Sequence, residues 1–541
     1  MALPLFAFVA ALFALVVFKL RHVGSRPQGY PPGPPTWPLI GNIHLMPKEK
    51  AHLQFQKWAE EYGPVYSLIL GTKVMIVLSS DKAIKDLLDK RSNIYSSRPD
   101  MYLGNIVSGG YRMLLMEYGE QWRMIRKIVH NNLNIKAART YVPYQDLENK
   151  NMLVGMLEKP NLFIDHIRRY ANSLTTQMIF GFRTPDIDDP KLKQLFHGFE
   201  KFSAITGTQT AALLDLFPIL RNLPDLVLPL RRYAKELHKK ESELYVGHWL
   251  NVKKAIKEKT ARPSFCVDLV RAQDAEGFSD PLAGYVSGSL LEAGSDTTSA
   301  TLIGFVQAML LFPDVAKKAQ EELDRVCGDE FPTLDHEPNL PYIRGCIKES
   351  LRWMPTDILG VPHAVIRDDE YMGYTIPKGA GVMWNVWGVQ MDPRRHPDPR
   401  RFDPARYAND TQTAAEAANN PDASKRDHFV FGAGRRLCQG MHIAERSLFL
   451  AIARMLWAFD FKLARDAAGN EVKPDADDLT EGMLVCPKPF PAQIVPRDEK
   501  KSARVKAEWG KMEELLTEDM QWKVLPEGLI WKEYNQATEV P

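Results

Sequence analysis

The feature that most limits how this chain can fold is a long helical run from Asp280 to about Phe312. Asp280 is suited to cap its start, Pro281 fits a first turn where a missing N–H costs nothing, and apolar residues continue from there. Thirty-odd residues at about 1.5 Å each are enough to cross a whole domain. Pro313 suits the first turn of the next helix, and Pro341 and Pro355 bracket another that contains Ile347 to Met354. Tyr66 to Leu78 reads as a hairpin turning at Gly71-Thr72, with further short strands expected at Pro362 to Arg367 and Gly482 to Cys486. The expectation is a mainly α protein with small β-sheets. No Gly/Ser-rich or Pro-rich linker divides residues 41–497, so they are read as one large domain.

Composition narrows the function classes. A net charge of +2 gives no reason to expect nucleic acid, and basic runs such as Arg231-Arg232 read as solvated helix faces. The five cysteines are widely spaced, odd in number and form no CxxC pair, which fits a reducing compartment and argues against zinc or a redox dithiol. Ala2 to Phe18 carry no charge, and a helix of that length reaches roughly 25 Å, near the lower limit for crossing a bilayer. Lys19, Arg21 and Arg26 follow it, so residues 1–20 are expected to be a membrane anchor with the body on the cytosolic side, in preference to a cleaved signal peptide. Residues 21–40 contain Tyr30-Pro-Pro-Gly-Pro-Pro35, a stiff hinge. Residues 408–427 suit an exposed irregular loop, in which the sequon Asn409-Asp-Thr411 is best explained by chance. Residues 498–541 form a charged extension carrying Trp509, Trp522 and Trp531, with no function assigned to it.

The most informative segment is Phe431-Gly-Ala-Gly-Arg-Arg-Leu-Cys-Gln-Gly440, which precedes an apolar helical stretch from Met441 to Phe459. It resembles the haem-binding loop of the cytochrome P450 family, whose pattern is Phe, Gly, any, Gly, any, Arg, any, Cys, any, Gly. A lone cysteine is usually a buried bystander; within this pattern Cys438 is the expected axial ligand of the haem iron. A thiolate beside a helix start is stabilised by backbone N–H groups and the helix dipole. Gly432, Gly434 and Gly440 would let the backbone pass close to a flat macrocycle, Phe431 opens the loop, and Arg436 is expected to reach a propionate. Gln439 is more polar than the residue usual at its position.

Three further constellations carry the resemblance. Glu349 and Arg352 share a helix face, and with Arg406 in Phe402-Asp-Pro-Ala-Arg406 they match the buried charged triad of the family. Trp122 and Arg126, four residues apart, match a propionate-binding pair, and His363 a position that often completes it. Ala293-Gly-Ser-Asp-Thr-Thr298 resembles the oxygen-activation segment: Ala293 and Gly294 would let the long helix lie against the haem, Thr297 would locally open it and hold a water, and Asp296 would relay protons.

The resemblance implies a cytochrome P450 fold, a single helical domain enclosing haem b. It also implies insertion of one oxygen atom from O2 into a lipophilic substrate, with NADPH-derived electrons arriving through NADPH–cytochrome P450 reductase and cytochrome b5 as a further partner. The pocket would be lined by Val107, Leu290, Gly360, Val361 and Leu484. The pattern is most similar to microsomal enzymes of fungal secondary metabolism, single-pass in the endoplasmic reticulum membrane. A haem-thiolate isomerase or dehydratase is the rival within the fold, disfavoured because such relatives commonly lack the pair Asp296-Thr297. A non-catalytic haem carrier is the third reading.

Overall fold

The computed structural model describes residues 22–527 and 529. The expected anchor and Trp531 lie outside the described residues, among which no single helix is long and apolar enough to cross a membrane. The helices that frame the site are α1 (Tyr102–Ser108), α2 (Glu120–Leu133), α3 (Val142–Glu158), α4 (Phe163–Phe180), α5 (Pro190–Thr206), α6 (Pro229–Lys257), α7 (Asp280–Leu311), α8 (Pro341–Trp353), α9 (Met441–Ala458) and α10 (Glu499–Glu513).

The strands are β1 (Val65–Leu70), β2 (Lys73–Leu78), β3 (His363–Ala364), β4 (Asp369–Tyr371), β5 (Tyr374–Ile376), β6 (Gly381–Trp384), β7 (Phe459–Arg465), β8 (Glu471–Val472) and β9 (Ala492–Pro496). One sheet runs β1-β2-β6-β3, with β1 and β2 antiparallel in the expected hairpin and β2 parallel to β6. The pair β4-β5 and the set β8-β7-β9 complete the minor β content.

Helix α7 runs unbroken and buried through the body. Its cap is Ser279, not Asp280: the Ser279 backbone is extended and its hydroxyl accepts from the Leu282 N–H, one residue earlier than expected. Asp280 lies inside the first turn and instead accepts from the Trp249 indole at 2.8 Å and Lys253 at 2.9 Å, which ties α7 to α6. The C-terminal half of α7 packs Leu302, Phe305 and Met309 against Ile343 and Leu351 of α8 and Ile452 and Met455 of α9. Each fully buried aliphatic or aromatic side chain of this kind contributes roughly 1.5–3 kcal/mol.

Two expected strands are not formed as read. Of Pro362 to Arg367 the regular strand is His363–Ala364; Pro362 has no N–H to give, and outside the ladder the Val365 N–H donates to the Ala380 carbonyl at 3.0 Å while the Val365 carbonyl accepts from the Gly379 N–H at 2.8 Å. Gly482 to Cys486 is a loop: the Thr480 N–H donates to the Cys486 carbonyl at 2.8 Å, and the Val485 N–H donates sideways to the Thr356 carbonyl at 2.8 Å. Within residues 408–427 a short helix, Ala414–Asn419, is held by a capping box of Thr413 and Glu416.

The C-terminal extension is docked as far as it is described. Helix α10 lies on α3, where Lys150 pairs with Glu508 at 3.1 Å. Beyond it, Trp522 is buried and its indole N–H donates to Gln177 Oε1 at 2.7 Å.

Candidate active site

Cys438 ends the loop that leads into α9. Its N–H donates to the Phe431 carbonyl at 2.8 Å, folding the loop back on itself. The sulfur sits at the start of α9, where the N–H groups of Gly440 and Met441 are hydrogen-bonded to it. Burial pushes the thiol up, while those two N–H groups and Arg126 pull it down, as they would favour a thiolate. Gly434 is left-handed (φ +61°), and a Cβ there would lie 1.9 Å from the Leu88 carbonyl oxygen. This glycine therefore lets the loop press against protein backbone rather than a macrocycle, and its N–H is taken by Asp89 at 2.5 Å. Gly440 has φ −85° and needs no glycine freedom. Gln439 uses its polarity: its amide donates to the Arg126 carbonyl at 2.9 Å, joining α2 to the loop.

Three guanidinium groups gather beside this loop. Arg436 donates to the Met116 carbonyl at 2.7 Å and the Ser96 carbonyl at 2.9 Å, and stacks 4.1 Å from the buried Trp122 ring. Arg126 donates to the Leu437 carbonyl and lies 5.7 Å from the same ring. The third, Arg98, escaped sequence reasoning; it donates to the Leu114 carbonyl at 2.9 Å and the Pro362 carbonyl at 2.8 Å. Burial pulls Arg436 down to about 8, and repulsion from Arg98 and Arg126 adds to it. A guanidinium holds its proton in proteins, so such a field is relieved by a bound anion. His363 completes the group: Nδ1 is 2.6 Å from the Tyr95 carbonyl, while Nε2 is buried without a partner. Burial, Arg98 and Arg436 hold this imidazole well below its ordinary range.

A sulfur ligand, clustered cations and an orphaned ring nitrogen suit a flat metal macrocycle carrying carboxylates. Among the described residues no group of three or more His, Cys, Asp or Glu could hold a bare ion, so a metal on Cys438 would have to bring its other ligands. On α7, Ala293 is exposed although its neighbour Glu292 is buried, so there is open space beside it. Gly294 does not share that space: a Cβ there would lie 2.6 Å from Thr175 Oγ1, so this glycine serves the packing of α7 on α4. Thr297 donates its hydroxyl to the Ala293 carbonyl at 2.7 Å, and the helix stays closed around it rather than opening as expected. Asp296 is pushed up to about 6 by burial, with Arg168 pulling down and Glu292 pushing up, which suits a group that exchanges protons near neutrality.

The supporting triad forms below. Glu349 receives both Arg352 contacts, at 2.6 and 2.7 Å, together with Arg406 at 3.3 Å and the Asp403 N–H at 2.8 Å. Among the residues expected to line a pocket, Val107 is buried against Phe202 and Leu214, and Leu290 is half-buried on α7. Gly360 is left-handed against the Trp384 ring, and the Val361 carbonyl is taken by Arg98. Leu484 is half-buried in the loop joined to Thr356 through Val485.

Sequence reasoning also missed Arg112, buried between Glu241 of α6 and Glu292 of α7. The available signal was Glu292 itself, a carboxylate inside the apolar run Leu290-Leu-Glu-Ala293 that had to find a buried partner.

The comparisons agree with this geometry. The family model described as Cytochrome P450 matches residues 31–491. The cytochrome P450 monooxygenase virE of Hypocrea virens is 59% identical, over 98% of this chain and 97% of its own. The cytochrome P450 monooxygenase fogE of Aspergillus ruber is 54% identical over 99% and 98%, and fsoB of Humicola fuscoatra 52% over 98% and 99%. A zebra fish cytochrome P450 solved with progesterone superposes with a TM-score of 0.67 at 22% identity, covering 82% of this chain and 99% of that one, a likeness of fold alone.

Proposed function

The chain belongs to the cytochrome P450 family and is a monooxygenase, and from that premise we propose that it hydroxylates a lipophilic intermediate of fungal secondary metabolism, taking electrons from NADPH through a membrane-bound flavoprotein reductase. The overall change is R–H + O2 + NADPH + H+ to R–OH + H2O + NADP+. Haem b, when bound through Cys438, supplies the binding and reductive cleavage of dioxygen. The observation that carries the reading is Cys438 Sγ between the N–H groups of Gly440 and Met441, next to Arg126 and to Arg436, which its neighbouring guanidinium groups repel.

Each residue has a task that follows from its surroundings. The two N–H groups and Arg126 favour the charged form of the sulfur. Arg98, Arg126, Arg436 and His363 would hold propionate carboxylates by charge-assisted hydrogen bonds. Asp296 would deliver protons to the cleft and Thr297 would hold them in line there; both lie one turn or less from Ala293. The half-buried apolar residues Leu290 and Leu484 support a lipophilic substrate, whereas Val107 is sealed in the core.

Two surfaces support the partners. Arg123, Lys127, His130, Lys136 and Arg139 are exposed on α2 and the segment after it, beside exposed Arg435 of the cysteine loop. That basic face, close to the sulfur, suits an acidic electron donor. Trp37 (58% exposed), Ile219 (78%) and Leu226 (93%) project from two segments that meet at the β1–β2 turn, where Thr72 Oγ1 donates to the Leu216 carbonyl at 2.6 Å. An apolar patch of that kind suits a membrane surface and, with the apolar run of residues 2–18, supports an endoplasmic reticulum location with the body in the cytosol.

The test is turnover of the reconstituted protein with reductase, NADPH and 18O2, using an extract of the producing cells as substrate source. One labelled oxygen per product is expected. Conversion without reductase would favour the isomerase reading instead, and haem binding with no turnover on either regime would favour the carrier. Cys438→Ala is expected to lose the thiolate-type carbon monoxide spectrum, Thr297→Ala to divert electrons to peroxide, and Asp296→Asn to remove the limb of the pH profile near 6.

A further inference from the structure

The interior holds a second cluster of charge that takes no part in binding a cofactor. Arg112, 2% exposed, donates to Glu241 Oε1 of α6 at 2.8 Å and to Glu292 of α7. Tyr245 of α6 donates its hydroxyl to Glu292, and the Tyr285 ring of α7 lies near Glu241. His238 Nδ1 lies 2.7 Å from the Tyr285 hydroxyl, and both groups reach the Val107 carbonyl at the end of α1. The Arg112 guanidinium also stacks 4.1 Å from Phe202 of α5. One side chain on the irregular loop between α1 and α2 thus holds α5, α6 and α7 together.

That loop also braces two of the cations of the anion site. The carbonyls of Met113 and Met116 accept from Arg436, and that of Leu114 accepts from Arg98. At its other end Glu292 directly precedes Ala293, the residue with open space beside it. Displacing residues 112–116 would therefore disturb the cofactor-binding cations and the oxygen-facing stretch of α7 together.

Charge bookkeeping sets when this arrangement holds. Arg112 offers one positive charge to two carboxylates, and Glu241 Oε2 has no hydrogen-bond partner. The groups that face Glu241 are Arg112 from the loop, Glu292 and Tyr285 from α7, and Tyr245 from α6, with His238 behind Tyr285. The cluster is balanced when one of the two carboxylates is neutral, and the unpartnered oxygen places that proton on Glu241; a buried unbalanced carboxylate is costly.

We propose that Arg112 is a positioning residue for the hydroxylation, holding the α1–α2 loop against Glu292 while Glu241 is neutral and releasing it when Glu241 ionises. Burial, with Glu292 acting in the same direction, raises Glu241 to about 8 against the pull of Arg112. The released loop would leave Glu241 in water at an ordinary carboxylate value near ~4.3. Opening then releases one proton between those two values, so the closed loop is most stable on the acid side and loosens as pH rises, levelling off above about 8.

The experiment is hydrogen exchange of residues 109–118 in the haem-loaded protein, corrected for intrinsic exchange, from below the level-off value to above it. The opening equilibrium is expected to rise about tenfold per pH unit and then flatten. Glu241→Gln should abolish the slope, and the ratio of product to peroxide in that variant should lose the matching pH dependence. A slope that survives Glu241→Gln, or a flat wild-type profile, overturns the proposal. If Glu241→Gln does not fold, Glu292→Gln decides: it removes the negative charge that shares Arg112 with Glu241 and raises Glu241, so the level-off point must move to lower pH, and an unmoved point overturns the proposal.

Discussion

Two groups of buried arginines lie within one domain and are treated in opposite ways. Arg352 and Arg406 meet the carboxylate of Glu349, and their remaining N–H groups are taken by the carbonyls of Gln390, Arg401, Pro397 and Asp398. Arg98, Arg126 and Arg436 also meet carbonyls, yet they repel one another, and His363 Nε2 beside them is left unpaired. The first group shares a carboxylate directly; in the second Asp357 lies near Arg98, while Arg436 is repelled by both Arg98 and Arg126. Buried guanidinium groups joined by a shared carboxylate are architecture, whereas buried guanidinium groups that meet carbonyls and repel one another mark a place for a ligand.

That contrast is sharpest if the first group loses its shared carboxylate. Glu349→Gln leaves two buried guanidinium groups without their anion and is expected to cost ~3–5 kcal/mol, read as loss of folded protein or a large drop in Tm whether or not haem is bound. The opposite behaviour is expected of Arg126→Met. Removing one cation from the second group should leave the Tm of the haem-free protein unchanged or higher, while haem retention weakens by the ~1.5–3 kcal/mol typical of a hydrogen bond to a charged group. Equal losses in both states would erase the distinction.

A third buried group tests the rule from the tail. Glu148 is matched by Arg169 and Arg183 and by the amide of Gln177, whose oxygen takes the Trp522 indole N–H. Trp522→Phe keeps the ring but orphans that oxygen, and a loss of ~1–3 kcal/mol in urea unfolding is expected, with the carbon monoxide spectrum unchanged. The smallest effect belongs to the exposed pair Arg465–Glu471, 58% and 56% exposed. Arg465→Ala should change stability by no more than ~1 kcal/mol, and less at high salt.

Motif-bearing parts of the site were legible because their chemistry is tied to short spacings. The loop around Cys438, the pair Glu349 and Arg352, and the stretch Ala293 to Thr297 each lie within ten residues, where one helix or one turn decides which side chains meet. Spacing did not reveal what each small residue is for. Gly294 and Gly434 are needed for contacts with α4 and with Leu88, which come from far along the chain. Arg98 and Arg112 lie in irregular segments without periodicity, so nothing local distinguishes them from surface arginines.

By itself the sequence determined the long central helix, the β1–β2 hairpin, the sulfur and its helix start, because hydrogen bonding and side-chain order act over a few residues. Only the tertiary structure decided which buried guanidinium groups share a carboxylate and which repel one another. Burial turns a weak, screened interaction into a strong one, and whether a guanidinium faces a carboxylate, a carbonyl or another guanidinium depends on elements hundreds of residues apart.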